Sequence, residues 1–170
     1  NDTYYLTDKG IIASKINEAH SLLMAELIYN KVLDNLSINE LTCFFSCFTK
    51  INIRSEFTLD NPPVYGILRD SIDKYNSLLN EQEIFEQNKN ININNEKYIL
   101  NYDIIKHVND WCNAKTDIEC KKVLQEINDK DIFTGEFIKC ILSINNVANE
   151  MIFCYEYLNN VPMLEKINRI

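Results

Sequence analysis

Between Asp131 and Asn160 the apolar residues Phe137, Ile141, Ile144, Ala148, Met151, Tyr155 and Leu158 recur at intervals of 4, 3, 4, 3, 4 and 3. That alternation keeps one side of an α-helix facing a partner, so the spacing predicts one long helix over the stretch. Cys140, Val147 and Cys154 widen the apolar arc on one side, and Ile138 and Ile152 widen it on the other. An arc this wide predicts a central helix rather than a peripheral one. The polar residues left over, Lys139, Ser143, Asn146 and Glu150, form a narrow strip with 4, 3, 4 spacing.

The rest of the chain reads as shorter helices and one other long one. Ile11, Ile12 and Ile16 share a side of a helix predicted over Asp8 to Ile16, interrupted at 17–20. Ser21 is placed to cap a second helix over 22–35, with Leu22, Ala25, Leu27, Ile28, Val32 and Leu33 largely inward. Ser37 and Glu40 form S-x-x-E, a capping box in which each side chain satisfies a free backbone N–H. Leu36 and Leu41 fall where a hydrophobic staple would sit. The helix this opens, to about Lys50, carries Leu41, Phe44, Phe45 and Phe48. Residues 51–61 lack a helical period and form a connector ending at Pro62-Pro63. A long helix follows from about Pro63, whose missing N–H is not needed in a first turn, to Gln87. The polar tract 88–96 is a loop by composition. Ile104 to Cys112 is the next helix, with the single Trp111 read as core. Thr116 and Glu119 make a second capping box, opening a helix over Asp117–Ile127. Pro162 is expected to stop or turn the chain before a last helix at Met163 to Ile167.

Composition agrees with helices. A chain of 170 residues, 46% hydrophobic, can bury roughly 70% of its unfolded surface. With 3 Gly and 3 Pro it has too few turn residues for a sheet protein of this size. The expected fold is all-α, a helical bundle of about six to eight helices with one long central helix, forming a single domain over residues 1–170. Asn1 in place of an initiator methionine points to a piece of a longer chain.

Charge narrows the function. Lys plus Arg number 17 against 25 Asp plus Glu, a net of −8. Free-standing nucleic-acid binders usually carry a basic face, so the balance argues against that class while leaving room for a few local phosphate contacts. The six cysteines form no CxxC and no Cys/His set with zinc spacing. Each falls on an apolar helical face, which reads as reduced core thiols in an intracellular setting, cytoplasm or nucleus. The absence of a signal peptide or a run of 18 apolar residues points to no membrane partner.

Self-contained catalytic machinery is missing. Gly10, Gly66 and Gly135 are isolated, so no phosphate-cradling loop forms. His20 and His107 have no partner close in sequence and are expected at the surface or at a cap. No catalytic residue, metal ligand or cofactor of this chain's own is expected.

Two stretches resemble a known family. LTDKGIIASKINEAHSLLMAELIYNKVLDNLSINELTCFFSCF contains Lys9-Gly10, then Ala25-Glu26 on a helix, then an apolar helix ending Ser46-Cys47-Phe48. Around Trp111 the order Trp111, Ala114, Asp131, Gly135, Ile138-Lys139 follows. Both resemble the DSHCT domain, the C-terminal helical domain of exosome-associated superfamily-two RNA helicases of the Ski/Mtr/HelY group. The resemblance covers most of the chain and breaks across 51–100.

It implies a bundle packed beside the two RecA-like motor domains of an ATP-dependent RNA helicase. The long helix would be the ratchet helix, which runs along the path of single-stranded RNA. The strip Lys139, Ser143, Asn146 and Glu150 would face RNA, with Lys139, Ser143 and Asn146 as the contact residues. ATP and Mg would belong to the parent motor domains. Partners would be the motor domains in cis, single-stranded RNA and RNA-decay proteins.

Departures from the family thin the RNA contact. Where the family usually has arginine this chain has Lys139, which keeps the charge but loses the planar fork. A usual basic pair is replaced by Leu142 and Ser143, a family acid near Asn146 is absent, and Ile11 replaces a basic residue after Lys-Gly. One lysine on one phosphate changes the salt slope of single-strand binding by only about 0.7. The alternative is a helical scaffold that binds protein partners with little or no RNA contact.

Overall fold

The computed structural model describes residues 4–170; Asn1 lies outside them. Among the described residues there are eight α-helices and no strand. They are α1 (Asp8–Ala13), α2 (Ser21–Tyr29), α3 (Ile38–Ser46), α4 (Gly66–Asn88), α5 (Ile105–Asn113), α6 (Asp117–Asn128), α7 (Thr134–Tyr157) and α8 (Val161–Ile167). Short 3-10 turns at Ser55–Phe57 and Glu96–Tyr98 punctuate the connectors. The all-α expectation holds, and one continuous hydrophobic cluster draws on all eight helices.

The bundle is built around α3. Its capping box forms as the sequence requires: Glu40 N–H donates to Ser37 Oγ at 3.3 Å, and Ser37 N–H donates to Glu40 Oε2 at 2.8 Å. All six residues from Leu41 to Ser46 are then buried. Helix α5 covers one side of α3, with the Cys43 thiol 3.8 Å from the Ile105 carbonyl. Helices α7 and α4 cover the others. Phe48, just past α3, edges onto Phe44 and onto Tyr75 of α4. A helix enclosed this fully must satisfy its own hydroxyls. Thr42 donates to the Ile38 carbonyl and Ser46 to the Cys43 carbonyl.

Helix α7 is the longest, at 24 residues, and it forms a wall rather than the centre. Five of its predicted seam positions, Phe137, Ile144, Ala148, Met151 and Tyr155, are buried, and so are Cys140, Val147 and Cys154. Ile141 and Leu158 are half-buried. The opposite flank of the predicted arc is split: Ile152 is half-buried against the core and Ile138 is 53% exposed, and Leu142, outside the arc, is 59% exposed. Helices α1, α3, α6 and α8 cover one side of α7, and no described element covers the other. By length and mean hydropathy alone α7 could cross a membrane, although Ser143, Asn145, Asn146 and Asn149 interrupt it and it holds no run of 18 apolar residues. Its buried side is instead part of the core.

Long-range polar ties close the bundle. The Glu150 carboxylate accepts from the backbone N–H groups of Asn17 at 3.0 Å and Glu18 at 3.1 Å, and from Asn17 Nδ2 at 3.2 Å. That pins the α1–α2 turn to α7. At the other end Lys166 Nζ donates to the carbonyls of Asp34 at 2.7 Å and Leu36 at 2.9 Å.

Several boundaries differ from expectation. His20, not Ser21, occupies the N-cap of α2, and no side chain caps there. That helix ends at Tyr29, before Lys31 takes a φ of 58°, and Leu22 is 55% exposed rather than inward. Helix α4 begins at Gly66, whose φ of +66° suits glycine, so Pro63 lies ahead of the helix. The chain turns at Asn159, with φ 52°, and Pro162 sits in the first turn of α8, opening that helix instead of ending one. His107 is fully buried, against the expectation of a surface or cap histidine, while His20 does hold a cap position, at the start of α2, and is nearly buried there. Trp111 is half-buried, its ring edge-on to Phe137 at 5.8 Å.

Candidate functional site

The polar strip of α7 divides into a committed end and an open end. Glu150 is committed: its carboxylate holds the α1–α2 turn, which takes it out of any ligand-facing role the spacing suggested. Lys139 and Asn146 are exposed and Ser143 is half-buried. Among the described residues none of these three side chains makes a hydrogen bond or an ion pair, so their polar atoms face water. They lie on one face because positions three and four apart on a helix are neighbours.

Lys139 and Ser143 line a shallow hollow of about 310 Å³. Its other wall is the segment Thr49–Asn52 that leaves α3, and Glu136 and Cys140 complete it. Lys50 leans from this wall to the Glu96 carbonyl at 3.3 Å. Burial pushes the Cys140 thiol up, ahead of an opposing hydrogen bond from Thr49, so it stays a protonated wall group and not a nucleophile. Two lysines face one glutamate here, a weakly positive patch on an acidic molecule. Ile138 and Leu142 stand exposed beside it.

Sequence reasoning found the α7 side of this hollow and missed the other. Thr49–Asn52 lie about 90 residues from Ser143 in the chain, and no periodicity connects them. A second group was also missed. His107, Asp110 and Glu126 bring potential metal-ligating atoms within 4.8 Å of one another across α5 and α6. The i, i+3 spacing of His107 and Asp110 was a visible signal, but Glu126 joins them only through folding. The six cysteines are all free; Cys43, Cys47, Cys140 and Cys154 are buried, while Cys112 and Cys120 are only half-buried.

The DSHCT (NUC185) domain family matches residues 3–170. The chain belongs to this family. Two similar proteins are the exosome RNA helicase MTR4 of Homo sapiens and that of Mus musculus. Each is 22% identical over 160 residues, covering 93% of this chain. The DSHCT chain spans 14% of the length of those relatives. Within it, two motifs that carried the resemblance meet. Lys9 of the Lys-Gly opening pairs with Glu26 of the Ala-Glu pair at 2.6 Å, joining α1 to α2. The pairing holds the Glu26 carboxyl below its ordinary range. Both side chains are more than a third exposed or close to it, so the pair orients the two helices more than it stabilises them.

Proposed function

We propose that this DSHCT chain is the C-terminal helical accessory domain of an ATP-dependent RNA helicase, packing on the motor core and lining the path of single-stranded RNA. The observation that carries the reading is the family match over residues 3–170, together with relatives named as exosome RNA helicases. In this reading Lys139, Ser143 and Asn146 touch the RNA. Their support is that all three sit on one face of α7 with no internal partner among the described residues, beside a hollow with a second lysine. Lys139 meets a phosphate as a point charge, and Ser143 and Asn146 offer hydrogen bonds. ATP and Mg act in the motor domains, and RNA-decay proteins are the further partners. A cytoplasmic or nuclear setting fits the six free thiols.

The net charge of −8 and the exposed Ile138 and Leu142 favour a second reading, a scaffold that binds protein through the same face. One substitution separates the two. In the intact protein, Lys139→Glu is expected to weaken single-stranded RNA binding and to flatten its salt dependence by at least about 0.7 in slope. An anisotropy titration at several salt concentrations reads both. Unchanged affinity and unchanged unwinding would sink the RNA role of α7 and leave the scaffold.

A further inference from the structure

A buried imidazole presents an unanswered question on α5. His107 is 1% exposed, and both of its ring nitrogens are shut off from solvent without a hydrogen-bond partner. A neutral imidazole carries one donor and one lone pair, and buried polar groups of this kind are normally satisfied. The ring lies with Asp110 and Glu126, its ligand atom within 4.8 Å of theirs. His107 and Asp110 share a face of α5 at i, i+3, and Glu126 reaches across from the last turn of α6.

The two carboxylates already converge on a cation. Lys106 Nζ lies 2.6 Å from Asp110 Oδ2 and 3.2 Å from Glu126 Oε2. That ammonium is a loosely held occupant. Its side chain is 57% exposed and both carboxylates 36%, so the pairs are solvent-screened and Lys106 can swing out into water. A hollow of about 380 Å³, lined by Lys106, Asp110, Asn113, Val123 and Glu126, opens the two carboxylates to solvent, with the buried His107 ring behind them.

We propose that His107, Asp110 and Glu126 form a binding site for a divalent transition-metal ion of the zinc class, with Lys106 as its displaceable occupant. Two carboxylates neutralise the divalent charge, and the imidazole nitrogen selects against magnesium and calcium, which take oxygen ligands. Three protein ligands leave a coordination position open toward the hollow, as in non-structural zinc sites. Ligand–metal bonds of about 2.0–2.2 Å require the carboxylates to close in from their present spacing. Both are half-exposed and have the rotamer freedom to do so. The bound ion would staple α6 to α5 and give His107 the partner it lacks. This inference does not depend on the RNA reading, and its test involves no RNA.

The test uses metal-free protein titrated with Zn²⁺ by calorimetry and with Co²⁺ by visible spectroscopy. We expect one equivalent per chain, a raised melting temperature, and cobalt bands of an N/O-ligated centre. Glu126→Gln and Asp110→Asn should each weaken binding by at least about tenfold, while Lys106→Gln should tighten it by up to about tenfold. Should His107→Ala fail to fold, the two carboxylate variants carry the test, since neither group is core. The proposal is overturned by no binding up to about 1 mM, a free energy too small to matter here. It is also overturned by affinity equal in the carboxylate variants, or by an intense thiolate-to-cobalt band that would place the ion on Cys112 or Cys120 instead.

Discussion

Helices α3 and α7 look alike as apolar patterns and behave differently in the fold. Helix α3 has nine residues and buries six in a row, all round its circumference. Helix α7 has 24 and buries eight, all on one side. The longer, more regular pattern is therefore not the centre. What places α3 there is its neighbours: α4, α5 and α7 pack on different sides of it. Among the described residues helix α7 has neighbours on one side only. Its far side keeps Ile138, Leu142 and the strip with Lys139 and Asn146 in water, which is why that side can serve as a contact surface. A period reports which residues of a helix agree with one another; how its partners are distributed around it is a property of the whole chain.

The contrast can be broken most sharply within α7 itself. Ile144 is 2% exposed on the buried side. Ile144→Asp places an unpaired charge in the core, and the expected outcome is a chain that no longer melts cooperatively by circular dichroism. A soluble variant with a cooperative transition would contradict the architecture.

Acid probes the enclosed side around α3 and α5. Burial is the main cause holding the His107 imidazole down at about 4, with Lys130 and Lys106 adding to it and Glu126 and Asp110 opposing. In the unfolded chain the same group titrates near 6.5. Between those values the unfolded state binds more protons, so stability is complete above pH 6.5 and is lost as pH falls toward about 4. The loss between pH 7 and 5 should be about 2 kcal/mol. His20 shifts in the same direction, again mainly by burial, with Glu86 opposing and Lys97 reinforcing. Urea melts in chelator-containing buffer measure the effect, and His107→Gln should flatten most of the pH dependence. A wild-type stability level across pH 7 to 5 would mean that the imidazole is not held neutral.

The smallest effect sharpens the comparison from the other direction. Leu142, two residues before Ile144, is 59% exposed. Leu142→Asp should change the stability of the chain by no more than about 0.5 kcal/mol in the same melts. A loss of several kcal/mol would show that the outer side of α7 is covered within this chain after all.

Much of this was legible locally. Both capping boxes, Ser37 with Glu40 and Thr116 with Glu119, form as their spacing demands, because each involves only four consecutive residues. The all-α class followed from scarce Gly and Pro and from 3.6-residue periods. The capping of α2, the start of α4 at Gly66 and the role of Pro162 were misplaced by a few residues. Those ends depend on single dihedral angles, such as the φ of +66° at Gly66, which composition does not specify. On the site, Lys139, Ser143 and Asn146 were correctly grouped on one face, while Glu150 was grouped with them and turned out to hold the α1–α2 turn. Spacing along one helix cannot reveal a bond to a residue 133 positions away.

The sequence by itself determined roughly where the helices lie, the two capping boxes, which residues of each helix share a face, and the family to which the chain is similar. These depend on interactions within about one or two turns of chain. The tertiary structure alone decided that α3 is enclosed and α7 half-open, that Thr49–Asn52 wall the hollow beside Lys139, and that Glu126 meets His107 and Asp110. Each of those facts needs two segments distant in sequence to be brought together by burial of a shared core. The hydrophobic effect that does this is non-directional: it rewards the area removed from water without marking in advance which helices will supply it.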